Sequence, residues 1–240
     1  LTQLQPKRRL VQEIDWDDKV YRELMLPVAE KLRLLRATDD PARRALIEDD
    51  ICQRQRQATG VAKAPYVAEF VRALLEGGEK VLLMAHHHAV MDIYRRELKG
   101  YRPGFITGRE TDRQKDEAAR AFMAGETDLL CLSLRSASGL NLQRASCVVF
   151  GELDWSPAVH SQAEDRAHRI GQQDSLLCYY LVSPRGSDRD MQDALGLKVS
   201  QFVSIMGDTP RDKKEDFLLQ SQARERIRAL VEKLEAESPE

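Results

Sequence analysis

The sequence predicts an α/β fold, a parallel sheet with helices on both faces, accompanied by flanking helical segments. Three observations point there. Between residues 61 and 210, short apolar runs alternate with amphipathic stretches, and this order of elements yields parallel strands joined by helical crossovers. The strand candidates are largely apolar runs, which suits strands covered on both faces. The 240 residues, 42% hydrophobic and 32% charged, suffice for one large domain with helical additions and a well-charged surface.

The elements follow in chain order. Residues 1–60 are expected to form a helical segment without convincing strands. Val20, Leu24, Val28, Leu32 and Leu35 recur at helical spacing. Asp39, Asp40 and Pro41 supply the cap and first turn of a second helix, expected to run to about Gln57. Residues 61–210 form the sheet-bearing lobe, with strands expected at Lys80–Ala85, Pro103–Thr107, Asp128–Ser133, Cys147–Gly151 and Leu176–Val182. Tyr94 with Leu98, Ala118 with Phe122, and Val159 through His168 mark helices between them. Residues 211–240 are highly charged. Leu219, Ala223, Ile227, Leu230 and Leu234 there form one apolar stripe, read as a helix that docks on a protein partner or as a frayed tail. Ligands of such sheets sit at the carboxyl ends of strands, so Ser133, Gly151 and the loops after them are where function is sought.

Composition narrows the classes. No apolar run reaches membrane-spanning length, and no membrane role is expected. Cys52, Cys131, Cys147 and Cys178 are scattered, without CxxC spacing, and read as buried free thiols in a reducing compartment. A net charge of −2 lends no support to nucleic-acid binding, so that case rests on local residues. The chain starts at Leu1 without an apolar signal segment and is read as a fragment or processed form with elements missing upstream.

The strongest signal is the run Gln162, Ala163, Glu164, Asp165, Arg166, Ala167, His168, Arg169, Ile170, Gly171 and Gln172. On a helix capped by Ser156 with Pro157 in its first turn, Gln162, Arg166 and Arg169 fall four and three residues apart and share one face, and Gly171 ends it. Two guanidiniums so placed can reach a triphosphate held by another surface, because the arginine charge is permanent and its fork matches phosphate oxygens. The blander alternative is a surface helix with solvated arginines and an Asp165–Arg169 pair.

Here the sequence resembles the Swi/Snf family of superfamily-two helicase-like DNA-dependent ATPases, specifically its second, C-terminal RecA-like lobe. The run above resembles the sixth motif. Cys131 to Leu142, with Ser133, Arg135, Gly139 and Asn141, resembles the fifth, and Val148 to Pro157 the segment after it. Val81 to His87 resembles the fourth, and Thr107, Gly108, Arg113 and Phe122 the glycine and helix that follow. The paired histidines and the Phe150-Gly151-Glu152-Leu153 stretch resemble the annealing-helicase branch most. Where the family has two adjacent glycines after the fifth-motif arginine and a longer loop, this chain has Ser136, Ala137, Ser138 and Gly139.

The resemblance implies a RecA-like lobe whose Arg166 and Arg169 are arginine fingers facing ATP, with Gln162 orienting the site. Gly139, Asn141 and Asp165 would lie at the ATP cleft. Ser133, Arg135, His86, Gly108 and Trp155 would line the track of double-stranded DNA. The sequence has no GxxxxGK[ST] loop and no acidic box after an apolar strand, so ATP and Mg²⁺ would be bound mainly by a first RecA-like lobe, the partner of this one. The expected setting is intracellular and DNA-associated, a bacterial cytoplasm or nucleoid rather than a nucleus.

Other readings compete at single residues. His86, His87 and His88 invite a metal, but neighbours at a strand end point in alternating directions and no Cys, Asp or Glu nearby completes a ligand set, so no metal is expected. Instead His86 and His87 would cap the sheet and contact phosphate. Trp155 is either a stacking platform or a core aromatic. Arg135 would bind phosphate or pair with Glu152, and phosphate is favoured. At the level of the whole chain the alternative to a motor lobe is a non-catalytic interaction module on a RecA-like scaffold, against which the two arginines argue. An RNA helicase lobe is disfavoured by the form of the sixth motif and by Asp154-Trp155-Ser156-Pro157.

Overall fold

The structure is a computed structural model and describes residues 7–135, 140–169 and 175–196, with Ala229, Glu232 and Ala236 beyond them. The apolar stripe expected in residues 211–240 therefore lies outside the described residues.

Six parallel strands form one sheet: β1 (Lys7–Glu13), β2 (Val81–Ala85), β3 (Gly104–Ile106), β4 (Leu129–Ser133), β5 (Cys147–Phe150) and β6 (Leu176–Val182), in the order β1-β6-β5-β2-β4-β3. The five anticipated strands are all present. Helices α1 (Asp18–Arg36), α2 (Pro41–Glu76), α3 (His88–Glu97), α4 (Asp112–Ala124), α5 (Pro157–Glu164) and α6 (Ser187–Ala194) complete it. Alternate residues of the central strands enter opposite cores, as the period of two requires. Val81, Leu83, Cys131 and Val149 meet Val67 and Val71 of α2 and Val90 and Tyr94 of α3 on one face. Leu82, Met84, Leu130 and Phe150 meet Phe122 of α4, Ala163 of α5 and Met191 of α6 on the other.

Two findings correct the expectation of a strand-free first segment. Lys7–Glu13 is a strand, paired in parallel with β6 from Lys7↔Leu176 to Glu13↔Val182. It escapes an apolar-run criterion because it is an edge strand, and edge strands carry charges that blunt further pairing. The second helix does not stop near Gln57 but continues to Glu76, so the division at residue 60 falls inside α2. Its start is as expected, with the Asp40 side chain accepting from the Ala42 N–H and Pro41 in the first turn. In α1, Val28, Leu32 and Leu35 are buried against Ile51 of α2, while Leu24 is exposed. Among the described residues no helix is long and apolar enough to cross a membrane.

The passage of α2 across the sheet explains its composition. Gly60 would ordinarily weaken a helix interior by about 1 kcal/mol relative to Ala, but a Cβ there would collide with Oε1 of Glu152. One turn on, the fully buried Lys63 donates Nζ to the Leu181 carbonyl at 2.8 Å and to Oδ2 of Asp188 at 2.6 Å. Asp188 also accepts from the backbone N–H and hydroxyl of Ser183, both at 2.9 Å. This buried pair fastens α2 to the end of β6 and the start of α6. Truncation of Lys63 strands an uncompensated charge, so Lys63→Ala should lower unfolding free energy by about 3–5 kcal/mol. Urea melts check this, and a loss near that of an exposed lysine would show the pair to be incidental.

Candidate functional site

The carboxyl ends of β2, β4 and β5 lie side by side and present His86, Ser133 and the Gly151–Trp155 segment. Their centre is a buried carboxylate. Oε2 of Glu152 accepts from the backbone N–H of His86 at 2.7 Å and of His87 at 2.8 Å, while Oε1 lies 2.6 Å from Nδ1 of His87. Burial pushes this carboxyl up, but the ring and amide groups of His87 and the amide of His86 more than reverse it, and its pKa lies below the ordinary value. Glu152 thereby fixes the end of β2 and the start of α3. The sequence reading finds no acid near the histidines because the partner is 65 residues on, brought there by the β2–β5 pairing. Nδ1 of His86 is buried without a partner among the described residues, and burial together with Arg56 lowers its pKa.

Asp154 is the second centre. Oδ2 faces Nη2 of Arg56 and Nη2 of Arg135, each at 3.4 Å, and Oδ1 accepts from the Ser156 N–H at 3.0 Å. Arg135 thus pairs with Asp154, not with Glu152, and its side chain stays largely exposed. Arg56 is buried and also donates to the Leu153 carbonyl at 3.1 Å. The ring of His160, which is buried, accepts from the Asp154 N–H through Nε2 at 3.2 Å, and its Nδ1 faces the Ser156 carbonyl at 3.1 Å. These roles require a neutral ring, and burial pushes its pKa down to about 4. Trp155 is half-buried and packs against the core shared by α4, α5 and α6. Ser133 is buried at the end of β4, and Gly108 is exposed in the turn after the edge strand β3 with φ 97°.

The predicted helix behind the arginines is shorter than expected. Ser156 and Pro157 occupy its first positions, though the Ser156 side chain makes no capping bond. It ends at Glu164, so Arg166 lies in the turn that follows and Arg169 beyond it, and the single helical face shared with Gln162 is not formed. The cause is local. The Ala167 N–H turns back to the Glu164 carbonyl at 3.0 Å, and the Arg166 carbonyl accepts from Leu142 at 2.9 Å instead of from a further helical turn. Gln162 and Asp165 are exposed, and Asp165 accepts from Lys7 at 3.2 Å. Asn141 is exposed beside Leu142, which places it next to the arginine-bearing turn. Gly139 and Gly171 lie outside the described residues.

Arg166 itself is buried, and its Nε has no acceptor among the described residues. Burial and the neighbouring charge of exposed Arg169 both act against its protonated form. Two cations, one of them buried with its Nε unpaired among the described residues, make an arrangement that an anion would complete. Sequence reasoning missed Arg9, Arg56, Lys63, Glu152, Glu164 and Asp188 as parts of this architecture. Gly60 was the available signal, since a glycine inside an otherwise helical stretch indicates close approach by another group.

Residues 63–171 match the helicase conserved C-terminal domain family. The SWI/SNF-related matrix-associated actin-dependent regulator of chromatin subfamily A-like protein 1 of Bos taurus is 35% identical over 179 residues, 70% of this chain and 19% of that protein. The DNA annealing helicase and endonuclease ZRANB3 of Mus musculus is 30% identical over 220 residues, 90% of this chain and 20% of that protein. The chain thus spans about one fifth of the length of the curated relatives it matches. The Sulfolobus solfataricus SWI2/SNF2 ATPase core solved in complex with dsDNA superposes with a TM-score of 0.65 at 17% identity, over 79% of this chain and 44% of that one.

The neutral His160 gives stability a defined pH dependence. An unfolded histidine titrates near pH 6.5, and the folded one near 4. Between those values the unfolded chain binds more protons, so stability falls as pH falls, by up to about 3 kcal/mol. His86 acts in the same direction. Glu152, Asp154 and Glu164, held low in the folded state, lose their contribution only at still lower pH. Urea melts between about pH 7 and about pH 5 should show this slope, and His160→Gln should flatten it. An equal slope in the variant would assign the effect elsewhere.

Proposed function

We propose that the chain, whose residues 63–171 match the helicase conserved C-terminal domain and which is similar to SWI/SNF-related proteins, is a member of the Swi/Snf family of helicase-like proteins and the second motor lobe of an ATP-driven translocase or remodeller of double-stranded DNA. The observation that carries the proposal is Arg166, buried, with Nε unpaired among the described residues and beside a second arginine. An enclosed donor without an acceptor costs about 1–3 kcal/mol. A scaffold has no use for that cost, whereas a motor lobe recovers it when phosphate oxygens arrive.

In this reading a first RecA-like lobe holds ATP and Mg²⁺, and closure of the two lobes brings Arg166 and Arg169 to the transferring phosphoryl group. There the planar forks meet charge spread over its oxygens. Arginine fingers supply roughly 10³–10⁵ in rate, or about 4–7 kcal/mol of barrier. Gln162, Asn141 and Asp165 lie around the same turn and would orient the nucleotide edge of this lobe. At the carboxyl rim, Arg135 would exchange Asp154 for a DNA phosphate, with Ser133, His86 and Trp155 beside it and Gly108 further along the sheet. Contacts of this type go to the backbone, so movement would be insensitive to sequence. Alternation of closure and release would step the lobes along duplex DNA, and the protein would work where the cell's DNA is.

Arg166→Ala or Arg169→Ala in the two-lobe protein should lower DNA-stimulated kcat by about 10³-fold or more, with ATP KM nearly unchanged, because the groups act in the transition state. Lysine should rescue neither. Steady-state assays with saturating duplex, beside thermal melts of each variant, test this; normal kcat in a folded variant would make the turn structural.

The 240-residue chain alone should show no ATP turnover, and its duplex binding should be weak and fall by roughly one power of salt concentration per phosphate contacted. Anisotropy titrations across several salt concentrations check it. Tight, salt-indifferent binding would contradict the phosphate track.

A further inference from the structure

Glu164 is the last helical residue of α5 and stands two positions before Arg166. Its side chain is fully buried, yet four donors converge on it. Arg9 grips it with Nε at 2.6 Å to Oε1 and Nη2 at 2.5 Å to Oε2, Lys7 places Nζ 3.0 Å from Oε2, and the Tyr180 hydroxyl donates to Oε1 at 2.8 Å. Burial pushes this carboxyl up, and Arg9, Lys7 and Tyr180 more than reverse it. Arg9 and Lys7 both belong to β1, the charged edge strand.

Around this carboxylate the backbone is fixed from both sides. The Glu164 carbonyl accepts from the N–H groups of Ala167 and His168, each at 3.0 Å, while Leu142 holds the Arg166 carbonyl and Ala167 is buried in the core. Net stability is a weak reason for such a cluster, because apolar residues of similar volume do as well or better in place of a buried ion pair. What apolar residues lack is the fixed geometry of a two-pronged contact.

We propose that Arg9 is a positioning residue for Arg166, acting through Glu164, so that β1 determines where α5 ends and where the arginine-bearing turn points. The inference rests on the arginine-finger reading above. Displacement of a reacting group by about 1 Å from a distant substitution can cost on the order of 10²-fold in rate, which sets the scale expected.

The test uses the two-lobe protein with Arg9→Met, Arg9→Lys and Arg166→Ala, assayed with saturating duplex below the melting temperature of each. Arg9→Met should lower kcat by about tenfold to a hundredfold with ATP KM within about twofold. Arg9→Lys, which keeps the charge without the fork, should recover part of the loss. Should Arg9→Met fail to fold, Arg9→Lys against the parent protein carries the comparison. Hydrogen exchange gives a readout independent of turnover: the amides of residues 165–168 should exchange faster in the Arg9 variants while those of β2 and β5 stay unchanged. Normal kcat in a folded Arg9 variant overturns the proposal, as does a loss of kcat with the turn amides fully protected. Normal kcat in Arg166→Ala would instead remove the finger reading beneath it, and the exchange data would tell the two failures apart.

Discussion

A carboxylate withdrawn from water must be met by donors, and four of them govern how distant parts of this chain come together. Glu152 is met by His86 and His87, Asp154 by Arg56 and Arg135, Glu164 by Arg9 and Lys7, and Asp188 by Lys63. The sheet imposes this arrangement. Its central strands are covered on both faces, so Glu152, Asp154 and Asp188 collect where strands end, in a zone too enclosed for bare charge yet too irregular for apolar packing, whereas Glu164 is met along the strands by Lys7 and Arg9 of β1 and Tyr180 of β6. Each carboxylate then recruits partners from another segment. β1 and α2, which precede the central sheet in sequence, are thereby fastened to it by side chains as much as by backbone pairing.

How much of this was legible beforehand depends on the scale of each signal. The five strands from β2 to β6 are largely apolar runs whose burial follows from their chemistry, and they were readable from the sequence. The starts of α2 and α5 were readable from Asp40 with Pro41 and from Ser156 with Pro157, because caps and proline act within one turn. β1 was not, since Lys7, Arg8 and Arg9 look like solvent-facing charge until Glu164 is brought to them across 155 positions. The end of α5 was missed for a related reason: the helical pattern continues past Glu164, but Leu142 takes the Arg166 carbonyl. The second helix was expected to end near Gln57, whereas it continues through Gly60 and Pro65, secured by contacts that no local pattern records.

The candidate site divides along the same line. The two arginines stood out by their spacing, and the histidine pair and the tryptophan by resemblance to the family's motifs. Their states were not. Arg135 is held by Asp154, Arg166 is enclosed with Nε unpaired, and Nδ1 of His86 faces no partner among the described residues. A residue's identity is written in the chain, but whether it is committed or available depends on neighbours chosen by the fold.

One feature of α2 reaches further. A continuous helix of 36 residues spans roughly 54 Å. Its first turns pair with α1, its middle turns press Arg56, Gly60 and Lys63 against the strand ends, and its later turns lie in the core through Val67 and Val71. The rim thus lies between an arm packed on α1 and a stretch set in the core. A push on the α1–α2 arm would be delivered as torque at Asp154 and Glu152, the carboxylates that hold Arg135 and the start of α3. Whatever leans on that arm would also lean on the rim.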